Sequence, residues 1–317
     1  MDQVLTPRVG PQVVYLTITA DQAGQRLDNF LINVLKGVPR KRIYQMIRKG
    51  EVRANGGRIK PTYRIKANDS LRIPPVKQVG LDKLDKGKPD SRWLSQINGF
   101  ILREEADFLV LNKPSGLAVH GGSGIRHGVI EIMRVSRPDL HYLELVHRLD
   151  KDTSGCLLLA KKRSFLREVH AQLRQREMKK QYLALCRGAV TKQWIDAPLQ
   201  IITRGGERMS VVDPAGKSAR TRVSPIRVYP QCSWLSVRLD TGRMHQIRAH
   251  LAHIGHPLVG DTKYGDKAFN QEMRNLGIKR LCLHASQLTF AHPVTAEKVS
   301  VSAPLDQALQ SSLSVLG

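Results

Sequence analysis

The sequence has no paired cysteines. Cys156, Cys186, Cys232 and Cys282 stand singly and no CxxC occurs, so neither a zinc knuckle nor a disulfide framework is signalled. Isolated thiols of this kind read as reduced cysteines of a cytoplasmic protein. No run approaches the roughly 18 uninterrupted apolar residues of a membrane span. The opening MDQVLTPRVG lacks the basic flank and apolar stretch of a secretory signal. Internal repeats of fixed period and low-complexity tracts are missing, which excludes a repeat architecture. No GxGxxG loop is present, and GGSG at 121–124 is not followed by a Walker lysine, so no phosphate-cradling nucleotide site is signalled. Acidic residues are scarce: 27 Asp and Glu face 51 Lys and Arg, a formal net charge of +24 with a pI near 10.3. Such an excess calls for a polyanionic partner, and phosphate backbones are the commonest one. Arginine is abundant within it, and its planar fork suits phosphate binding and stacking on bases.

At 317 residues the chain is long enough for two domains, and 41% hydrophobic residues is the content of a folded globular protein. Residues 1–14 read as a loose arm, and a compact module follows over 15–76. Leu27, Phe30, Leu31, Val34 and Leu35 recur at helical spacing, with Gly37 and Pro39 as the stop. Ile43, Tyr44, Met46 and Ile47 predict a second short helix that ends at Gly50. EVRANGGRI reads as strand, Asn-Gly turn and strand, and SLRIPP as a last short strand. Between Arg26 and Arg72 the module carries thirteen Lys or Arg against three Asp or Glu. Arg40, Lys41, Arg42, Arg48 and Lys49 lie on or beside the second helix. That placement makes the helix a phosphate-binding face, with a merely solvated basic face as the alternative.

Residues 77–98, polar and mixed in charge, read as a linker. From 99 to 317 the runs FLVLNKP, CLLLAKK, YLALCRG, WLSVRLD and RLCLHA predict short strands. SFLREVHAQLRQREM and MHQIRAHLAHIG predict helices. Short strands punctuated by Gly and Pro, with helices inserted, indicate an α+β domain on a mixed, mostly antiparallel sheet.

HRLDKDTSG, residues 147–155, puts the carboxylate of Asp150 in a loop between the apolar LELV and CLLLA. Strand-end loops are where rigid scaffolds present reactive groups. Arg148 favours the charged carboxylate if the two pair, and such a group is a nucleophile or base rather than an acid. A turn in which Asp, Thr and Ser cap local amides accounts for the same residues, and pattern alone leaves both readings open. A kinase HRD loop is excluded, because the Asn it needs five residues after the Asp is here Gly155. In TGRMHQIRAHLAHIGH, residues 241–256, His250, His253 and His256 stand three apart. No HExxH and no clustered carboxylate or thiol completes a metal set, so no metal is expected, and the arginines of the segment carry the chemical interest. Tyr182, at the start of the strand in KKQYLALCRG, is either a packing aromatic or a stacking platform for an extruded base.

Taken together, LNKPSGLAVHGGSG, HRLDKDTSG, KKQYLALCRG, TGRMHQIRAHLAHIGHPLVGD and RLCLHASQLTFAHP resemble, in order, the landmarks of the RluA-type pseudouridine synthases. The 15–76 module resembles an S4 RNA-binding domain, and the likeness covers most of residues 15–305. The resemblance implies isomerisation of uridine to pseudouridine in 23S ribosomal RNA, free or in a large-subunit assembly intermediate, with no cofactor or metal. It implies that Asp150 acts at the ribose, either by attacking C1′ or by removing a proton from C2′. Tyr182 would pack on the flipped uracil and relay the C5 proton, and Arg248 would pair with Asp150. Arg148 would enter the space the base leaves. His147, Arg148, Arg243 and His245 are the further substrate-binding candidates. Met244, where the family often has Thr, and Cys156 after the motif glycine are departures that replace no role-bearing residue. A monomer without membrane association is expected. A non-catalytic RNA-binding assembly factor is the alternative, and the joint presence of Asp150, Tyr182 and Arg248 speaks against it.

Overall fold

The computed structural model describes residues 12–317 apart from 36, 77–86, 88 and 123. Residues 1–11 of the arm and 77–86 and 88 of the linker read from the sequence therefore lie outside the described residues. The chain divides into two compact units, Met1–Gly87 and Lys88–Gly317.

The first unit runs β1 (Val14–Thr17), α1 (Leu27–Val34), α2 (Arg40–Arg48), β2 (Arg53–Ala54), β3 (Gly57–Arg58) and β4 (Ser70–Ile73). Its antiparallel sheet has the order β1-β4-β2-β3. Asn55 and Gly56 both take positive φ, 50° and 80°, the turn geometry that an Asn-Gly pair supplies to a two-residue hairpin. The helices bury Leu27, Phe30, Leu31, Ile43, Met46 and Ile47 in one core with Leu71 and Ile73 of β4. Arg40, Lys41, Arg48 and Lys49 are left exposed.

The second unit opens with α3 (Ser91–Gln96), capped by the Asp90 carboxylate, which accepts from the Arg92 amide. The sequence reading runs the linker on to residue 98. Trp93 and Leu94 instead pack on the domain core, and Ile97 is fully buried in it. A short helix with two apolar contacts inside a polar stretch gives no periodic signal long enough to read.

Then follow β5 (Ile101–Glu104), β6 (Phe108–Lys113), α4 (Val129–Ser136), β7 (Glu144–Leu145), β8 (Ser154–Ala160), α5 (Arg163–Gln175) and β9 (Lys179–Arg187). After them come β10 (Gln193–Asp196), β11 (Leu199–Arg204), β12 (Glu207–Val212), β13 (Arg220–Val228), β14 (Cys232–Leu239) and α6 (Gln246–His253). The chain closes with α7 (Lys267–Asn275), β15 (Leu283–Ala291), β16 (Lys298–Ser302) and α8 (Gln307–Ser314). One sheet has the order β10-β13-β14-β9-β15-β8-β6-β5, with β16 on β15 and β7 on β8, while β11 and β12 form a separate hairpin. Its pairs are antiparallel except β8 with β15, so the mixed, mostly antiparallel sheet expected from the sequence is the one found.

All seven residues of β8 are buried, as a central strand covered on both faces requires. Alternation sends Leu157 and Leu159 into one core with Ala184 and Cys186 of β9. It sends Cys156, Leu158 and Ala160 into another with Phe108, Phe165 and Phe290. The start of β8 depends on glycine. Gly155 has φ +107°, and a Cβ there would stand 2.2 Å from the Ala285 carbonyl oxygen on β15. Only a residue without a side chain allows that approach, and the HRLDKDTSG loop is anchored by it.

Candidate active site

Within the second unit a cleft of about 800 Å³ is lined by residues 146–150, by Tyr182 on β9 and by residues 239–248 leading into α6. Asp150 opens into it with its side chain 27% exposed. Arg248 Nη1 donates to Asp150 Oδ2 at 3.2 Å, and His245 Nε2 lies 3.8 Å from Oδ1. The guanidinium beside Asp150 is that of Arg248, on a helix far along the chain, as the resemblance implies, and not that of the sequence neighbour Arg148. Arg148 itself is exposed at the rim.

Arg248 is held from behind. Its Nε and Nη2 donate to the two oxygens of Asp261 at 2.8 and 2.9 Å. The amides of Lys263 and Tyr264 donate to the same carboxylate at 2.9 and 3.0 Å. The Tyr264 ring lies 5.1 Å from the guanidinium carbon, within cation–π range. Burial opposes the charge on Arg248, but Asp261 and then Asp150 outweigh it and push its pKa up. Burial likewise opposes the charge on Asp261, and the Arg248 bonds reverse that and hold its carboxyl below the ordinary value.

The chain enters α6 through His245 in the left-handed region, φ 51° and ψ 25°, a conformation costing a non-glycine residue about 1–2 kcal/mol. Gln246 holds this turn. Its Oε1 accepts from Thr241 Oγ1 at 2.7 Å and from the Arg243 amide at 3.0 Å. Its Nε2 donates to the Arg220 carbonyl at 3.1 Å and to Thr221 Oγ1 at 2.9 Å. Tyr264 accepts the Ser210 amide at 2.7 Å and stands 3.0 Å from His245 Nδ1. When the phenol donates its one proton to Nδ1, the ring carries Nε2–H on the side that faces Asp150. Burial lowers the pKa of His245 and Asp150 opposes that, with burial the larger.

Tyr182 is buried at the cleft wall, 7% exposed. Burial first, then the charge of Asp150, push its phenol pKa up, so the hydroxyl stays protonated. His147 turns inward. Its Nε2 accepts the Leu158 amide at 3.2 Å, and burial pushes its pKa down to about 3. Arg243 is exposed, with Nε on the Ser218 carbonyl at 3.1 Å. Below the Asp150 loop, the buried Lys113 ammonium donates to the carbonyls of Pro114, Leu117 and Lys151 at 2.9, 2.8 and 2.8 Å. Burial pulls its pKa down to about 7, while three acceptors match the three protons of the charged form.

The histidine row does not converge. Buried His250 bridges Thr221 Oγ1 and the Ala197 carbonyl, both at 2.9 Å. His256 Nδ1 donates to the Arg187 carbonyl at 2.9 Å, and His253 is exposed. Among the described residues no group of three His, Cys, Asp or Glu is placed to hold a metal. In the first unit, Arg42 is taken by Glu51, with bonds of 2.8 and 3.3 Å, whereas Arg40, Lys41, Arg48 and Lys49 stay exposed on and beside α2. Sequence reasoning missed Asp261, Tyr264, Gln246, Lys113 and Lys180. Asp261 lies in the quoted segment GHPLVGD, but nothing in spacing or composition ties it to Arg248.

A family model described as RNA pseudouridylate synthase matches residues 107–253, and an S4 domain model matches residues 25–71. Ribosomal large subunit pseudouridine synthase C of Pasteurella multocida (strain Pm70) is 48% identical over 321 residues, covering 97% of this chain and 95% of that protein. The protein of the same name from Escherichia coli (strain K12) is 47% identical, covering 96% and 97%. Among solved structures, human RNA pseudouridylate synthase domain containing 4 superposes with a TM-score of 0.60 at 24% identity, over 71% of this chain and 95% of that one. Human RNA pseudouridylate synthase domain containing 1 gives 0.57 at 25% identity, over 71% and 90%.

Proposed function

We propose that this chain, which belongs to the RNA pseudouridylate synthase family, isomerises uridine to pseudouridine in 23S ribosomal RNA of the large subunit. One observation carries the chemistry. Asp150 is partly exposed in a cleft, beside a buried tyrosine, and is oriented by an arginine that a buried aspartate fixes. The substrate uridine leaves its stack and enters the cleft, at a cost of a few kcal/mol. Its N1–C1′ bond breaks, and positive character develops at C1′, which the carboxylate stabilises.

Asp150 then either bonds to C1′, giving an acylal ester that the uracil later displaces, or takes the C2′ proton to give a glycal. In both routes the detached uracil turns, C5 bonds to C1′, the C5 proton leaves and N1 gains one; in the glycal route the C2′ proton also returns from Asp150 as C5 adds. The product is an isomer of the substrate, so atoms and electrons balance within the nucleotide and solvent. Tyr182 packs its ring on the uracil. Its phenol is neutral, so it takes the C5 proton only by passing its own on in the same step. Leu149, Leu239, Ile247 and Leu283 line the cleft and keep water from the reactive sugar. Arg148, at the rim, fills the gap in the RNA stack.

The S4 domain adds affinity through exposed cations on α2. The protein works as a monomer in the cytoplasm, on ribosomal RNA or its assembly intermediates. Among the described residues no helix is long and apolar enough to cross a membrane. The test is a pseudouridine map of 23S RNA from cells lacking this protein: uridines left unmodified there, and restored by the wild-type gene, support the reading. An unchanged map, with no tritium released from C5-labelled ribosomal RNA by the purified protein, favours a non-catalytic assembly factor.

A further inference from the structure

We propose that Lys180 binds a backbone phosphodiester of the extruded nucleotide. This rests on the reading above and adds a phosphate subsite to it. Lys180 lies on β9 two residues before Tyr182, so both side chains leave the same face of the strand and enter the same cleft. Among the described residues its ammonium has no hydrogen-bond or ion-pair partner. The carboxylates that line the cleft are spoken for: Asp150 by Arg248, and Asp240 by Arg238 at 3.9 Å.

The position of the ammonium is nonetheless defined. A Cβ on Gly242, in the turn that precedes α6, would stand 3.0 Å from Nζ, so the ammonium rests against that turn. Burial lowers the pKa of Lys180, and no charge among the described residues compensates it. A half-buried cation without a counterion is costly, and an RNA substrate brings one kind of anion, its phosphodiester. A uracil carbonyl, being neutral, would leave the charge uncompensated. Arg148, Arg174, Arg176, Arg208 and Arg243 line the same cleft, so its mouth has the sign a phosphate requires. Two residues along a strand separate Lys180 from Tyr182 by roughly 7 Å, a span that one nucleotide bridges from base to backbone.

The experiment uses the full-length protein and a hairpin RNA that the wild-type enzyme modifies. One uncharged methylphosphonate is placed on either the 5′ or the 3′ linkage of the target uridine. Lys180→Met is expected to raise KM roughly tenfold or more while lowering kcat far less, the mark of lost uniform binding to a charged group. One methylphosphonate should cost the wild type a similar factor and cost Lys180→Met nothing further, and Lys180→Arg should restore the response. Equal penalties in wild type and Lys180→Met at both linkages overturn the proposal, as does a fall in kcat at unchanged KM. Should Lys180→Met not fold, Gly242→Ala serves. Its methyl displaces the ammonium by a few tenths of an ångström, and a methylphosphonate penalty undiminished in that variant also overturns the proposal. Wild-type protein that releases no tritium from any ribosomal RNA refutes the parent reading instead, and the subsite with it.

Discussion

Asp261 decides whether Arg248 is aimed. Its side chain is fully buried, that of Arg248 is 10% exposed, and they share two bonds of 2.8 and 2.9 Å. Asp261→Asn keeps the volume but replaces one acceptor oxygen by an NH2 group. In either orientation that group faces a guanidinium N–H, and at the Oδ1 position the amides of Lys263 and Tyr264 as well. One charge-assisted bond is lost, an N–H is set against an N–H, and the buried guanidinium keeps Asp150, at 3.2 Å, as its one carboxylate partner among the described residues. Breaking one side of a buried pair costs about 3–5 kcal/mol. At about 2–4 °C per kcal/mol for a domain of this size, the second unit should melt roughly 6–20 °C lower. A displacement of about 1 Å at a catalytic group costs about a hundredfold, so kcat should fall by that order in a tritium-release assay run well below the lowered Tm. The sign with pH also follows. Arg248 holds Asp261 below the ordinary carboxylate value, so its contribution is present above about pH 4 and is lost as pH falls through the depressed value. Asp261→Asn should flatten that limb. A Tm within about 2 °C of wild type, with kcat within about threefold, would refute the clamp.

Gly155→Ala should abolish the cooperative melt of the second unit, because its methyl meets the Ala285 carbonyl at 2.2 Å; a wild-type melting curve by circular dichroism contradicts this. Alanine at Arg40, Lys41, Arg48 and Lys49 together should cut the slope of log affinity against log salt by about 3, at roughly 0.7–0.9 per phosphate contact. Arg42→Ala, whose guanidinium is already on Glu51, should leave that slope near wild type, and the reverse pattern would refute α2 as the phosphate face. His147 stays neutral when folded down to about pH 3, while in the unfolded chain it takes a proton below about pH 6.5. Stability should therefore drop with pH across that window, and His147→Gln should reduce the slope by about 1.4 kcal/mol per pH unit; an unchanged slope in denaturant titrations counts against it.

The elements with strong local signals were legible. The 3.6-residue spacing of Leu27, Phe30, Leu31 and Val34 gave α1 (Leu27–Val34), the Asn55-Gly56 pair gave the hairpin, and CLLLA gave the buried central strand β8. The parallel pairing of β8 with β15 was not, because it joins residues more than a hundred positions apart, and so β15's sharing of its edge between β8 and the nearby β16 was not legible either. The β11–β12 hairpin was passed over: it pairs Leu199–Arg204 with Glu207–Val212, has only partial burial, and closes on Gly205 and Gly206. At the site, Asp150, Tyr182 and Arg248 were named from motif resemblance, and the structure brings all three to one cleft. Asp261 was beyond reach, since a buried Asp that takes two amides and a guanidinium looks, in sequence, like any loop aspartate. Lys180 was equally silent, because the absence of a partner is a property of three dimensions.

The most direct measurement is pseudouridine formation by Asp150→Asn. Among the described residues the Asp150 carboxylate holds only the contacts at 3.2 and 3.8 Å, and without its charge Arg248 and Asp261 remain a balanced pair. The variant should therefore fold, bind ribosomal RNA within a few-fold of wild type, and release no tritium from uracil C5. Turnover near the wild-type rate would contradict the account.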